Sequence, residues 1–231
     1  MLFPLYDENP TKSIPWVTIF LIVANVLIFL YELSLESSGQ LQQFFQTAAL
    51  IPYEITHASK TMAGIPNIGV LTFFTSMFIH GGWLHVIGNM WYLWIFGNNI
   101  EEALGSAKYV LFYLVCGLGG GIGHILAQPN SQIPTVGASG AIAGVLAGYL
   151  ILFPTARIVT IIPLFVFIQV VRVPAIVVIG VWFVIQLLSG AGSLTSEAAA
   201  GTAWFAHVGG FIAGILLILV LPKRKRAQTE D

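Results

Sequence analysis

Apolar runs of about 16 to 20 residues recur along this chain, each closed by Gly, Pro, Asn or a basic residue, and runs of that length read as membrane helices. Inside a bilayer every backbone polar group must be satisfied internally, which leaves helices or closed barrels as spanning structures. Six spans are expected, near residues 14–34, 78–97, 106–127, 138–153, 174–189 and 203–221. Only 8% of the residues are charged and 57% are hydrophobic, whereas a soluble domain carries about a quarter charged residues. The chain therefore reads as an all-α polytopic membrane protein, a single membrane domain over residues 1–231 with its core at about 14–221 and a basic tail at 222–231. Nothing marks a separate soluble domain or an internal repeat.

The nine basic residues orient these spans. With both termini cytoplasmic, Lys12, Lys108, Arg157, Arg172, Lys223, Arg224, Lys225 and Arg226 fall inside and Lys60 alone falls outside, as the positive-inside rule requires. The expected location is the bacterial cytoplasmic membrane. The tail cluster reads as a membrane anchor, with no nucleic acid as partner. The first span is expected to be retained, since Asp7 and Glu8 precede it and no small-residue cleavage pattern follows Leu30. Residues 158–171 are apolar but interrupted by Pro163. As a helix they reach only about 21 Å against a core of about 30 Å, so they are expected to lie at the inner interface. Leu41, Phe44, Phe45, Ala48 and Ala49 stand among glutamines, a pattern suited to the outer interface. The lone Cys116 forms no intrachain disulfide, and no Cys/His grouping has zinc-site spacing. Neither metal nor organic cofactor is expected.

Polar side chains inside spans are costly, and each is a functional candidate. Ser139, within Gly137-Ala138-Ser139-Gly140, opens the fourth span; it reads as a nucleophile or as an ordinary helix N-cap. His207 opens the sixth span as a base or as a helix-contact residue. Gly210 and Gly214 share its helical face, and Gly140, Gly144 and Gly148 form a second stripe beside Ser139. Ser139 lies 14 residues before Phe153, and His207 lies 14 before Leu221; both helix ends are followed by Pro and a basic residue. At 1.5 Å per residue each candidate sits about 21 Å above its helix end, hence at one depth. A hydroxyl and an imidazole at one depth are the minimum for nucleophilic catalysis. His85 and Asn89 are four apart on one face and offer donors to a developing oxyanion, or a structural clamp between helices. His80, separated from His85 by Gly81 and Gly82 among others, belongs to the loop entering that span.

The set His80, His85 and Asn89, then Gly137-Ala138-Ser139-Gly140, then His207 with Gly210 and Gly214, resembles the rhomboid proteases over roughly residues 14–221. Glu101 and Gly105 resemble a further family feature near the cytoplasmic side. The resemblance implies an intramembrane serine protease acting on transmembrane protein substrates. Ser139 would be the nucleophile, His207 the base, and His85, Asn89 and the Ser139 N–H the oxyanion donors. Two departures stand out: the first outer loop lacks the arginine of a Trp-Arg pair, and Ala143 replaces a tyrosine that packs on the histidine in some members. A rhomboid-like binding protein and a transporter are the rival readings; intact Ser139 and His207 oppose the first, and the absence of charges in mid-span opposes the second.

The only aspartates are Asp7 and Asp231, both assigned to the opposite side from His207, so a Ser/His dyad is expected in place of a triad. Reporter fusions after residues 60, 155 and 195 are expected to report outside, inside and outside. An outside signal at 155 contradicts the orientation and separates Ser139 from His207.

Overall fold

A computed structural model describes residues 2–57, 68–164, 167–193 and 203–224. Lys60, Lys225, Arg226 and Asp231 lie outside the described residues. The helices are α1 (Trp16–Ser37), α2 (Leu41–Ala48), α3 (Pro52–Thr56), α4 (Ile68–Thr75), α5 (Trp83–Leu104), α6 (Ser106–Ala127), α7 (Ser139–Leu152), α8 (Ala175–Ser193) and α9 (Trp204–Val220). By length and apolarity α1, α6 and α8 suffice to cross a membrane, and the bent pair Gly69–Phe78 and Trp83–Leu104 makes a fourth span if counted as one. The chain is an integral membrane protein built mainly of helices.

The all-α expectation needs correction. Phe3–Asp7 (β1), Arg157–Leu164 (β2) and Phe167–Pro174 (β3) form an antiparallel sheet in the order β1-β2-β3, with Phe3 opposite Ile161 and Ile162 opposite Gln169. Val, Ile and Thr dominate β2 and β3, and their branched side chains favour a pleated surface over a helix. The apolar stretch at 158–171 is thus a hairpin completed by the N-terminal strand. The long helix of the second span, α5, starts at Trp83, later than the expected residue 78. Ser76–Phe78 forms a 3-10 turn, the chain bends by 82°, and Gly82 at φ 151° takes a conformation that only glycine adopts readily. The amphipathic stretch that begins at Leu41 forms α2, with Phe44 edge-on to Tyr31 at 5.8 Å.

Helix α7 is the centre of the bundle, and every residue from Gly140 to Tyr149 is buried. Its 14 residues extend only about 21 Å, so it is enclosed by protein instead of lipid. The two glycine stripes face each other. A methyl on Gly214 would lie 2.5 Å from the Gly144 carbonyl, and one on Gly210 would collide with the Gly140 carbonyl. Gly120 of α6 meets both Gly140 and the Ala206 carbonyl of α9. Small residues thereby bring three backbones into direct contact, the usual means of helix association where lipid removes the hydrophobic drive.

At the other end of the bundle, Glu101 binds the N–H groups of Val17 and Thr18 at 3.0 and 2.8 Å and the hydroxyls of Thr18 and Ser106 at 2.9 Å each. One carboxylate thus caps α1, whose own capping residue, Pro15, offers no side-chain bond, and links it to α5 and α6. Gly105, at φ 80°, makes the one-residue turn between those helices. Asp7 accepts from the Tyr149 hydroxyl at 2.7 Å and the Asn99 amide at 2.8 Å; burial raises its carboxyl above the ordinary aspartate range.

Candidate active site

Ser139 stands at the first turn of α7 because of the residue two before it. Gly137 has φ 120°, and its N–H is held by the Ser76 carbonyl at 2.8 Å. The chain turns sharply there and enters the helix through Ala138, which occupies the capping position without a side-chain bond. Ser139 is therefore not the N-cap. Its hydroxyl instead meets His207 Nε2 at 2.8 Å. His207 follows Ala206, whose carbonyl sits against Gly140 and Gly120, so the glycine contacts of α7 with α9 set this distance.

The other imidazole nitrogen is also occupied. His207 Nδ1 lies 2.7 Å from Gln186 Oε1, while Gln186 Nε2 donates to the Trp182 carbonyl at 3.2 Å. An amide oxygen only accepts, so the proton resides on Nδ1 and Nε2 presents its lone pair to the serine. This is the tautomer a general base requires. Trp182 and Trp204 flank the ring at centroid distances of 5.8 and 6.1 Å. Gln186 escaped the sequence reading. Its only signal is an amide in the otherwise apolar run of α8, 5% exposed, where a lone polar group needs a partner.

His85 and Asn89 face Ser139 from α5. A methyl on Gly137 would lie 2.6 Å from His85 Nε2 and 3.5 Å from Asn89 Nδ2, so the absence of a side chain there admits both groups to the site. The Gly81 N–H donates to His85 Nδ1 at 3.4 Å, which leaves the proton on Nε2. Asn89 Nδ2 lies 3.0 Å from His80 Nε2, and one of its two N–H bonds remains for another acceptor. His80 is buried at 1% exposure in the segment before α5, where the sequence had placed it. A cavity of about 580 Å³ is lined by His85, Asn89, Ser139 and His207, together with His124 of α6. His124 was also missed; it is one more imidazole near the end of an apolar helix. Among the described residues no three His, Cys, Asp or Glu side chains gather at metal-binding distance.

The arrangement offers a hydroxyl, a base in the correct tautomer and two N–H groups converging beside the hydroxyl. The family model described as Rhomboid domain matches residues 68–224. The chain belongs to the rhomboid family. It is 28% identical over 227 residues to RHOMBOID-like protein 4 of Arabidopsis thaliana, covering 90% of this chain and 52% of that one. It is 34% identical over 152 residues to the mitochondrial Rhomboid protein 1 of Saccharomyces cerevisiae, covering 61% and 39%. It is 37% identical over 76 residues to rhomboid protease GluP of Bacillus subtilis, covering 33% and 14%. This rhomboid thus spans about half or less of the length of these relatives. The matched region holds His80, His85, Asn89, His124, Ser139, Gln186 and His207.

If Gln186 sets the tautomer, Gln186→Leu should slow reaction of Ser139 with a fluorophosphonate about 10-fold, a fraction of what general-base catalysis supplies. The thermal midpoint in detergent is expected to change little. An unaltered labelling rate contradicts the orienting role.

Proposed function

We propose that this rhomboid is a serine endopeptidase that hydrolyses peptide bonds in or next to transmembrane helices of other proteins, using Ser139 and His207 as a dyad. The observation that carries this reading is the 2.8 Å contact of Ser139 Oγ with His207 Nε2, with Nδ1 held by an acceptor. His207 Nε2 takes the hydroxyl proton as Oγ attacks the peptide carbonyl. Negative charge then develops on the carbonyl oxygen, where His85 Nε2–H, Asn89 Nδ2–H and the Ser139 backbone N–H are the available donors. The protonated imidazole gives its proton to the departing amine, leaving an acyl-serine. Water, deprotonated by the same imidazole, hydrolyses that ester and regenerates the hydroxyl. His207 is oriented by a neutral amide where a triad has a carboxylate, so stabilisation of the imidazolium is weaker and turnover modest.

The proposed arrangement has six crossings, made by α1, the bent α4 and α5 pair, α6, α7, α8 and α9, with both termini cytoplasmic. The six described Lys and Arg residues support this orientation. The backbone N–H groups of Lys12 and Arg224 bind the Glu102 carboxylate and the Ala103 carbonyl at the end of α5. Lys108, in the first turn of α6, binds the Pro222 carbonyl. Arg172 pairs with Glu8, whose N–H binds the Arg157 carbonyl. These contacts form one end of the bundle, and Ser139 and His207 open the opposite ends of α7 and α9. The matched relatives come from a plant, a yeast mitochondrion and a bacterium, so the bacterial membrane is not singled out. A substrate helix has its backbone groups already paired and must unwind before attack, which favours Gly, Ala, Ser or Pro near the cut.

A fluorophosphonate applied to the folded protein in detergent, with the adduct mapped, tests activation of the serine. Wild type should label at Ser139, Ser139→Ala should not, and His207→Ala should label far more slowly while remaining folded. Resistance of the wild type, with binding but no cleavage of single-span proteins, replaces the protease by a rhomboid-like binding protein.

A further inference from the structure

Glu32 is a carboxylate inside α1, 2% exposed, on the face that also buries Thr18 and Asn25. A buried acid in a membrane span is costly and calls for a partner or a task. Glu101 has four donors and holds three helices together. Glu32 caps no helix among the described residues. Both of its oxygens receive the same donor, the backbone N–H of His80, at 3.1 and 3.2 Å.

His80 belongs to no helix; with Gly81 and Gly82 it forms the link that launches α5. Two consecutive glycines give that link little conformational resistance of its own. Yet both candidate oxyanion donors are set from it. The His80 ring accepts one N–H of Asn89 at 3.0 Å, which fixes the rotation of the amide and directs its second N–H elsewhere. The Gly81 N–H occupies His85 Nδ1 at 3.4 Å and thereby places the His85 proton on Nε2, beside Gly137. A shift of the link therefore disturbs one donor's direction and the other donor's tautomer together. The carboxylate of Glu32 is the anchor that α1 supplies to it.

We propose that Glu32 is the positioning residue of the oxyanion donors, holding the His80–Gly82 link so that His85 and Asn89 present their N–H groups beside Ser139. The inference rests on the protease reading above. Oxyanion donors act where charge develops, so displacing them lowers kcat more than it raises KM. Position, not charge, is the property required, and an amide oxygen at residue 32 serves the same end.

The test compares Glu32→Met, which keeps the bulk and removes the acceptor, with Glu32→Gln, which keeps one acceptor, on a cleavable single-span substrate. Glu32→Met should lower kcat about 10- to 100-fold with KM within about twofold, somewhat less than complete loss of a donor. Glu32→Gln should stay within about fivefold of wild type, because the His80 N–H retains its acceptor. In an Asn89→Ala background the Glu32→Met factor should shrink by at least about fivefold, since coupled residues do not act additively. Should Glu32→Met fail to fold, Glu32→Asp, with its shortened reach, replaces it under the same expectations. A kcat within about twofold of wild type, or an equal loss in both backgrounds, overturns the inference while the protease reading stands. A wild type that cleaves nothing overturns both.

Discussion

Between α7 and α9 the two backbones touch. The Gly144 carbonyl lies 2.5 Å from where a methyl on Gly214 would sit, and no side chain fits between Gly140 and Gly210. Within one helical turn of these contacts, Ser139 and His207 are the first polar side chains that the two helices bring together. Replacing either stripe by larger residues would separate the axes by more than the hydrogen bond tolerates, because an N···O contact weakens beyond about 3.2 Å. The geometry of the Ser139–His207 contact is thus a consequence of backbone packing, and α6 reinforces it by placing Gly120 against the same surface.

The membrane environment sets the second requirement, that each buried polar group be answered. The answers divide along the bundle. At one end Glu101 and Asp7 bind helix termini and neighbouring side chains and act as structural ties. At the other, the polar groups are connected around the cavity: Gln186 to His207, His207 to Ser139, and His80 to Asn89. An amide that serves only to satisfy another polar group adds little net stability. Placed on His207 Nδ1, it also determines which nitrogen presents its lone pair to Ser139, and α8 sets this without touching the serine.

Helices α1, α5, α6, α7, α8 and α9 were legible as apolar runs because their breaks are Gly, Pro and basic residues, and the meeting of Ser139 with His207 was anticipated by their equal distances to Phe153 and Leu221. The hairpin at 157–174 was not legible as strands. Its residues are apolar on both faces, so neither helical nor alternating periodicity distinguishes it, and its partner strand lies at the far end of the chain, at Phe3–Asp7. The start of α5 was misplaced because apolar residues continue through Met77 to Ile79 while the backbone has already bent. His85 and Asn89 announced themselves by their spacing, whereas Gln186, His124 and Glu32 carry no motif. Each is a single polar side chain whose meaning depends on which helix faces it, and sequence spacing does not supply that.

Cleavage itself is the most direct test of the protease reading. Purified protein in detergent, incubated with a panel of single-span membrane proteins and followed by mass mapping of the products, should yield cuts within or beside a transmembrane helix, near small residues or proline. The Ser139→Ala variant, folded and otherwise identical, should yield none. Equal cleavage by that variant, or no cleavage of any panel member by the wild type, contradicts the central claim that Ser139 and His207 form a working nucleophile and base.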